Sequence, residues 1–183
     1  MLFFEVSEFS ESKMSLVLYD VRDNLALITL NNPKKRNMLT TEVCTAISDY
    51  VLEAENNADV KALIVTGNGA SFCAGGQLSD IHPDQSVLEK IYSGFLSVAN
   101  CSLPTIAAVN GPAVGAGFNM AIGCDVRIVT KKARFEPRFF GLGLHPGGGS
   151  TWMTRRLTNW DTAASLLLFS HSLTGEEAVL KGL

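Results

Sequence analysis

Closely spaced cysteines are missing from this 183-residue chain. Cys44, Cys73, Cys101 and Cys124 lie 29, 28 and 23 residues apart, with no CxxC pair and three scattered histidines, so neither a zinc site nor a disulfide framework is expected. Four buried free thiols in a reducing compartment are the plain reading. No run of 18 apolar residues is present, and the acidic stretch 1–13 has no signal-peptide core. A cytoplasmic, soluble protein without membrane contacts follows as the expectation. Basic excess is lacking as well: 15 Lys and Arg stand against 18 Asp and Glu, a formal charge of -3, so no field exists to hold a nucleic-acid backbone. No GxxxxGK[ST] string occurs, and the GxGxxG begun by Gly115 and Gly117 ends at Met120, with no acidic residue at the right distance. Mononucleotide and dinucleotide cradles of those types are thereby excluded.

What is present is an alternation of strands and helices. The segments LVLYDV and LALITL from Leu16 to Leu30, separated by Arg22-Asp23-Asn24, read as an antiparallel hairpin. Thr40 is placed as an N-cap, and Val43, Ile47, Tyr50, Val51 and Ala54 recur at helical spacing, so residues 40–56 are expected to form an amphipathic helix. Ala62 to Val65 reads as a buried parallel strand. The pattern then repeats: a helix over 84–99, a strand over 105–109, a short apolar helix over 114–122 and a strand over 126–130. Residues 151–169 are expected to be helical, and Thr174-Gly175-Glu176-Glu177 opens a last helix. The alternation predicts an α/β domain.

Two glycine-rich breaks follow buried strands: Gly67-Asn68-Gly69-Ala70-Ser71-Phe72-Cys73-Ala74-Gly75-Gly76 and Asn110-Gly111-Pro112-Ala113-Val114-Gly115-Ala116-Gly117. The carboxyl ends of strands in α/β sheets are where ligands bind. Neither loop carries much side-chain chemistry, so backbone N–H groups must do the holding.

Together these breaks resemble the enoyl-CoA hydratase/isomerase (crotonase) superfamily. The likeness spans about Leu16 to Leu183 and rests on Asn32-Pro33 with Asn37-Met38-Leu39-Thr40, ALIVTGNGASFCAGGQL, PTIAAVNGPAVGAG, Cys124-Asp125 before VRIVT, and LGLHPGGGSTW, in the family's order. It implies a spiral of repeated ββα units that binds acyl-CoA thioesters and assembles as a homo-trimer or hexamer. Coenzyme A enters as part of the substrate, with no permanently bound cofactor and no metal. On this reading residues 1–14 are an N-terminal extension. Residues 15–183 are the core domain, largely without the family's C-terminal helical lid, which predicts exposed apolar surface.

By the same resemblance, the backbone N–H groups of Gly76 and Ala116 form an oxyanion hole for the thioester. Lys35, Arg36 and Met38 lie near the CoA phosphates and adenine, with Ala74 and Leu78 walling the nucleotide and pantetheine; a solvated turn is the alternative for the two cations. The two glutamates of family hydratases correspond here to Asn119 and Phe139, and the family's aspartate after the AGx turn is Gln77. Three residues are candidates for the missing chemistry, each with a plainer alternative. Asn119 donates to substrate or water, or else bonds within its helix. Glu136 swings in as a base, or else pairs with Arg134 or Arg138. His145 titrates beside the acyl chain, or else caps its loop. The resulting function is an enoyl-CoA hydratase or isomerase of fatty-acid or related acyl-CoA metabolism. Its rival is a catalytically silent acyl-CoA binder or partner subunit. A third possibility, a hydrolase using Cys73, requires that thiol to be reactive.

Overall fold

The computed structural model describes residues 15–76 and 85–183. The N-terminal extension and the positions of Gln77, Leu78 and His82 therefore lie outside the described residues. Strands β1 (Val17–Arg22) and β2 (Leu25–Leu30) form the expected hairpin, paired from Val17 opposite Leu30 to Arg22 opposite Leu25. Its two turn residues, Asp23 and Asn24, both take positive φ (49° and 64°), as a two-residue turn between twisted strands requires. Helix α1 (Thr41–Asn56) begins where the Thr40 hydroxyl accepts from the Val43 N–H at 3.3 Å.

From β2 onward the pairing is parallel. β3 (Ala62–Gly67), β4 (Thr105–Val109) and β6 (Val126–Val129) follow β2 in a five-stranded sheet of order β1-β2-β3-β4-β6. One face of this sheet buries Ala26, Ile28, Leu30, Leu63, Val65, Ala107 and Val109 in the same core as Ile47 of α1 and Phe95 of helix α2 (Gln85–Ala99). A second, smaller sheet joins β5 (Pro112–Val114), β7 (Arg134–Glu136) and β8 (Leu173–Thr174). Helix α3 (Ala116–Gly123) leaves directly from β5, and Phe118 within it meets Phe135 of β7 edge to face at 6.4 Å.

Two expectations are corrected here. The helix expected from Val114 starts at Ala116, because Pro112–Val114 is taken up by pairing: Pro112 O accepts from the Phe72 and Cys73 N–H groups and Val114 N–H donates to Cys73 O. The single helix expected over 151–169 is two, α4 (Ser150–Leu157) and α5 (Trp160–Leu168), because Asn159 stops the first and caps the second through its bond from Thr162 N–H at 2.8 Å. The last helix, α6 (Gly175–Lys181), opens at Thr174 as expected, with a capping box between Thr174 and Glu177. Among the described residues no helix is long and apolar enough to cross a membrane.

The entrances of β4 and β6 are locked together by one carboxylate. Asp125 Oδ2 accepts from Thr105 N–H at 2.8 Å and from its hydroxyl at 2.9 Å, while Asp125 N–H donates back to that hydroxyl. The Thr105 bonds hold the Asp125 carboxyl below its ordinary range. A lowered folded value means that this stabilisation is complete above the unfolded carboxylate pKa, about 3.9, and is lost as pH falls through the folded one. Asp125→Asn is therefore expected to cost roughly 1 kcal/mol at neutral pH, at the low end for a charged hydrogen bond because the group is exposed. Urea unfolding of both proteins should show a gap that is constant down to about pH 5 and closes below pH 4; a gap independent of pH would overturn the assignment.

Candidate functional site

The first glycine-rich break is fastened by two asparagines. Asn37, buried and in the left-handed region (φ 56°), donates through Nδ2 to Asn68 O at 2.9 Å and Ser71 O at 2.8 Å, and its Oδ1 accepts from Asn32 N–H. Asn110 accepts from Gly67 N–H at 3.3 Å and donates to Gly69 O at 2.9 Å. The segment then runs as an extended ribbon. Ala74 N–H donates to Arg36 O and Leu39 N–H to Gly75 O, while Cys73 bridges Ala113 on the other side.

This brings the two breaks into backbone contact at Gly75. Its φ is +88°, and a Cβ there would stand 2.6 Å from Val114 O and 3.4 Å from Ala116 N. Only glycine satisfies both the conformation and the close approach. Beyond it, Gly76 N–H is off the ribbon's bonds, and Ala116 N–H belongs to the unpaired first turn of α3, whose N-cap Gly115 supplies no side chain. Neither N–H has an acceptor among the described residues, and both residues line one cavity of about 430 Å³. The amino end of α3 adds a partial positive charge at that point.

Of the residues singled out from the sequence, Ala74, Gly76, Ala116 and His145 line this cavity together, and His145 is exposed at its rim. Asn119 is buried behind the wall, where its Nδ2 donates to Gly147 O at 2.9 Å and its Oδ1 has no partner. Glu136 lines a different cavity, with Ser170 and Ser172, and pairs with Arg134 at 3.2 Å and Arg138 at 3.8 Å. Lys35 and Arg36 are exposed beside a short 3-10 turn, Met38 is half-buried, and none of the three lines the cavity. Leu78 lies outside the described residues.

Tyr92, which no sequence pattern singled out, and Arg138, expected only as a partner of Glu136, also line the cavity, as do Leu88, Ile91, Leu142 and Leu144. Phe139 forms part of the same wall. Leu88, Ile91, Tyr92 and Phe95 stand at helical spacing, the one signal available, and that pattern reads equally as a core stripe. A second cavity of about 730 Å³ shares Leu144 and His145 and is otherwise bounded by residues such as Phe140, Trp160, Leu167 and Leu168. No cluster of three metal-ligating side chains occurs among the described residues.

The sequence model of the enoyl-CoA hydratase/isomerase family matches residues 20–183. Over 172 residues the chain is 46% identical to a probable enoyl-CoA hydratase of Mycobacterium tuberculosis, covering 91% of this chain and 67% of that protein. It is 32% identical over 174 residues to the 1,2-epoxyphenylacetyl-CoA isomerase of Escherichia coli, covering 90% of this chain and 66% of the relative. The crystal structure of an enoyl-CoA hydratase from Polaromonas sp. JS666 superposes with a TM-score of 0.83 at 30% identity, over 91% of this chain and 68% of that one. The chain spans about two thirds of the length of these relatives.

Thiol chemistry at the ribbon can be tested directly. Burial pushes the Cys73 thiol up to about 12, and does the same to Cys44 and Cys124. Cys101 is half-buried and is also raised by burial. In the folded protein at neutral pH, iodoacetamide should therefore modify Cys101 slowly and leave the other three until denaturant is added, as read by peptide mass spectrometry. Rapid modification of Cys73 in the folded state would overturn this and revive a thiol nucleophile.

Proposed function

The chain belongs to the enoyl-CoA hydratase/isomerase family, and we propose that the cavity beneath its two glycine breaks binds an acyl-CoA thioester and stabilises the thioester enolate. The observation that carries this reading is the pair of unpaired N–H groups, Gly76 and Ala116, at one apolar cavity. When a proton leaves the α carbon of a thioester, or a nucleophile adds to the conjugated β carbon, negative charge collects on the carbonyl oxygen. Two fixed donors meet that charge without reorganising, and each is worth roughly 2.7–4 kcal/mol in comparable oxyanion holes. Apolar walls strengthen the effect by excluding water.

The acyl chain then lies along Ile91, Phe139 and Leu144, and the pantetheine leaves past Ala74. On this reading Lys35 and Arg36 meet the CoA phosphates from the exposed turn that Arg36 O ties to Ala74. Family glutamates correspond to Asn119 and Phe139 in this sequence, so the proton is handled by another group, and His145 at the rim is our candidate. Glu136, held between two arginines in the neighbouring cavity, is not. The substrate pool is fatty-acid or related acyl-CoA metabolism in the cytoplasm. A homo-trimer or hexamer is the assembly we favour; exposed Trp160, Phe169 and Leu180 supply apolar surface for it.

A second reading has an observation of its own: among the described residues no Asp or Glu lines the cavity. It makes the protein an acyl-CoA binder that does not turn its ligand over. Crotonyl-CoA separates the two, since turnover in the ordinary range of about 1–10³ per second removes the silent binder. Ala116→Pro then tests the mechanism, because proline is tolerated at the first helical position and replaces the N–H with a ring carbon that stands where the thioester oxygen would be gripped. Turnover is expected to fall about 10²–10³-fold with α3 intact by circular dichroism. An unchanged rate would remove Ala116 N–H from the reaction.

A further inference from the structure

Resting on the acyl-CoA reading above, we infer that the Tyr92 hydroxyl is a substrate-contacting group of the cavity and selects acyl chains that carry a hydroxyl or carbonyl oxygen close to the thioester. Tyr92 lies in the middle of α2 and shares the cavity wall with Gly76 and Ala116. Its ring packs edge-on against Phe95, with centroids 5.5 Å apart and planes at 69°, and Phe95 is fully buried. The far end of the ring lies on Gly147, where a Cβ would overlap the hydroxyl. The phenol is thus held along its edge and at its tip. Its rotamer is fixed before any ligand arrives.

Held in this way, the hydroxyl has no hydrogen-bond partner among the described residues. The other polar side chains at the cavity are placed differently: Arg138 is engaged by Glu136 at 3.8 Å, and His145 stands exposed at the rim. The walls between them, such as Leu88, Val114 and Phe139, are hydrocarbon. One fixed O–H on an otherwise apolar wall leaves a hydrogen bond for the occupant to complete. A plain hydrocarbon chain leaves it unmade and displaces whatever water satisfied it. A chain with an oxygen next to the α carbon makes it. Sites built to pair with a ligand hydroxyl reject the analogue that lacks it, which is the form of selection expected here.

The experiment compares two ligands that differ only in a carbonyl oxygen at the β carbon, acetoacetyl-CoA and butyryl-CoA, titrated calorimetrically into the unaltered protein and into Tyr92→Phe. Neither can lose or gain water across the α and β carbons, so the readout is binding whether or not the protein is a hydratase. The unaltered protein should prefer the oxygenated compound about tenfold, a decade being about 1.4 kcal/mol. Tyr92→Phe should reduce that preference below about twofold, with the larger loss on acetoacetyl-CoA, and an unchanged circular dichroism spectrum and unfolding midpoint report a folded protein. Gly147→Ala, which displaces the phenol tip, should lower the preference in the same direction and add little in the double variant. An equal preference in the unaltered protein and Tyr92→Phe would overturn the proposal, as would an equal loss for both ligands. No binding of either compound to the unaltered protein would overturn the acyl-CoA reading itself, and this inference with it.

Discussion

The contact of Gly75 with the backbone of Val114 and Ala116 is the constraint on which the rest of the site depends. Two loops that begin at the ends of neighbouring parallel strands are brought within 2.6 Å of where a side chain would start. That distance is reached only because both flanks are already committed. Leu39 N–H holds Gly75 O on one side, and Cys73 exchanges bonds with the Pro112–Val114 strand on the other. With its neighbours spoken for, the next N–H on each segment, Gly76 and Ala116, is left without an acceptor among the described residues. The unpaired donors are a product of the pairing around them and do not record a local failure to pair.

The same economy explains why the cavity is nearly bare of polar side chains. On the proposed reading, a site that grips with backbone donors has no need of a flexible side chain to hold a carbonyl oxygen, and it loses no rotamer entropy on binding. Its walls can then be hydrocarbon, which lowers the local dielectric and strengthens the few dipoles that remain. In such surroundings each polar group that does reach the space weighs heavily. Tyr92, Arg138 and His145 are the ones that do among the described residues, and they stand on three different segments.

Much of this was legible in the sequence where local chemistry decides the outcome. The hairpin turn at Asp23-Asn24, the Thr40 cap and the Thr174-Glu177 box are local devices, and each sits where the residue pattern put it. The strands β5, β7 and β8 were not legible, because two or three residues cannot display a period, and their existence depends on partners about 20 to 40 residues away. Glu136 shows the consequence. Phe135 is fully buried and side chains alternate along a strand, so Arg134 and Glu136 share the opposite face, where they pair. Nearness in sequence to the wall residue Phe139 suggested a base, and the register of β7 turns that carboxylate into the adjoining cavity. Tyr92 was hidden for a different reason. A tyrosine at helical spacing with Leu88, Ile91 and Phe95 is indistinguishable from a core residue until α2 is placed against the Gly147 loop.

Asn119, which the resemblance sets at the place of a hydratase glutamate, shows what an amide can do at such a position. Its Nδ2 donates to Gly147 O, tying α3 to the loop that carries His145 and that packs under the Tyr92 ring. A carboxylate accepts hydrogen bonds and, when ionised, donates none. Placed here it would set negative charge against a carbonyl oxygen, and the loop would have to move away to relieve the repulsion. The amide therefore fits a loop that lies close to α3. The hydroxyls of Ser150 and Thr154, on the helix α4 that contacts α3, are also buried without partners among the described residues. With the Asn119 amide turned to Gly147 O, the polar side chains at the cavity among the described residues are Tyr92, Arg138 and His145.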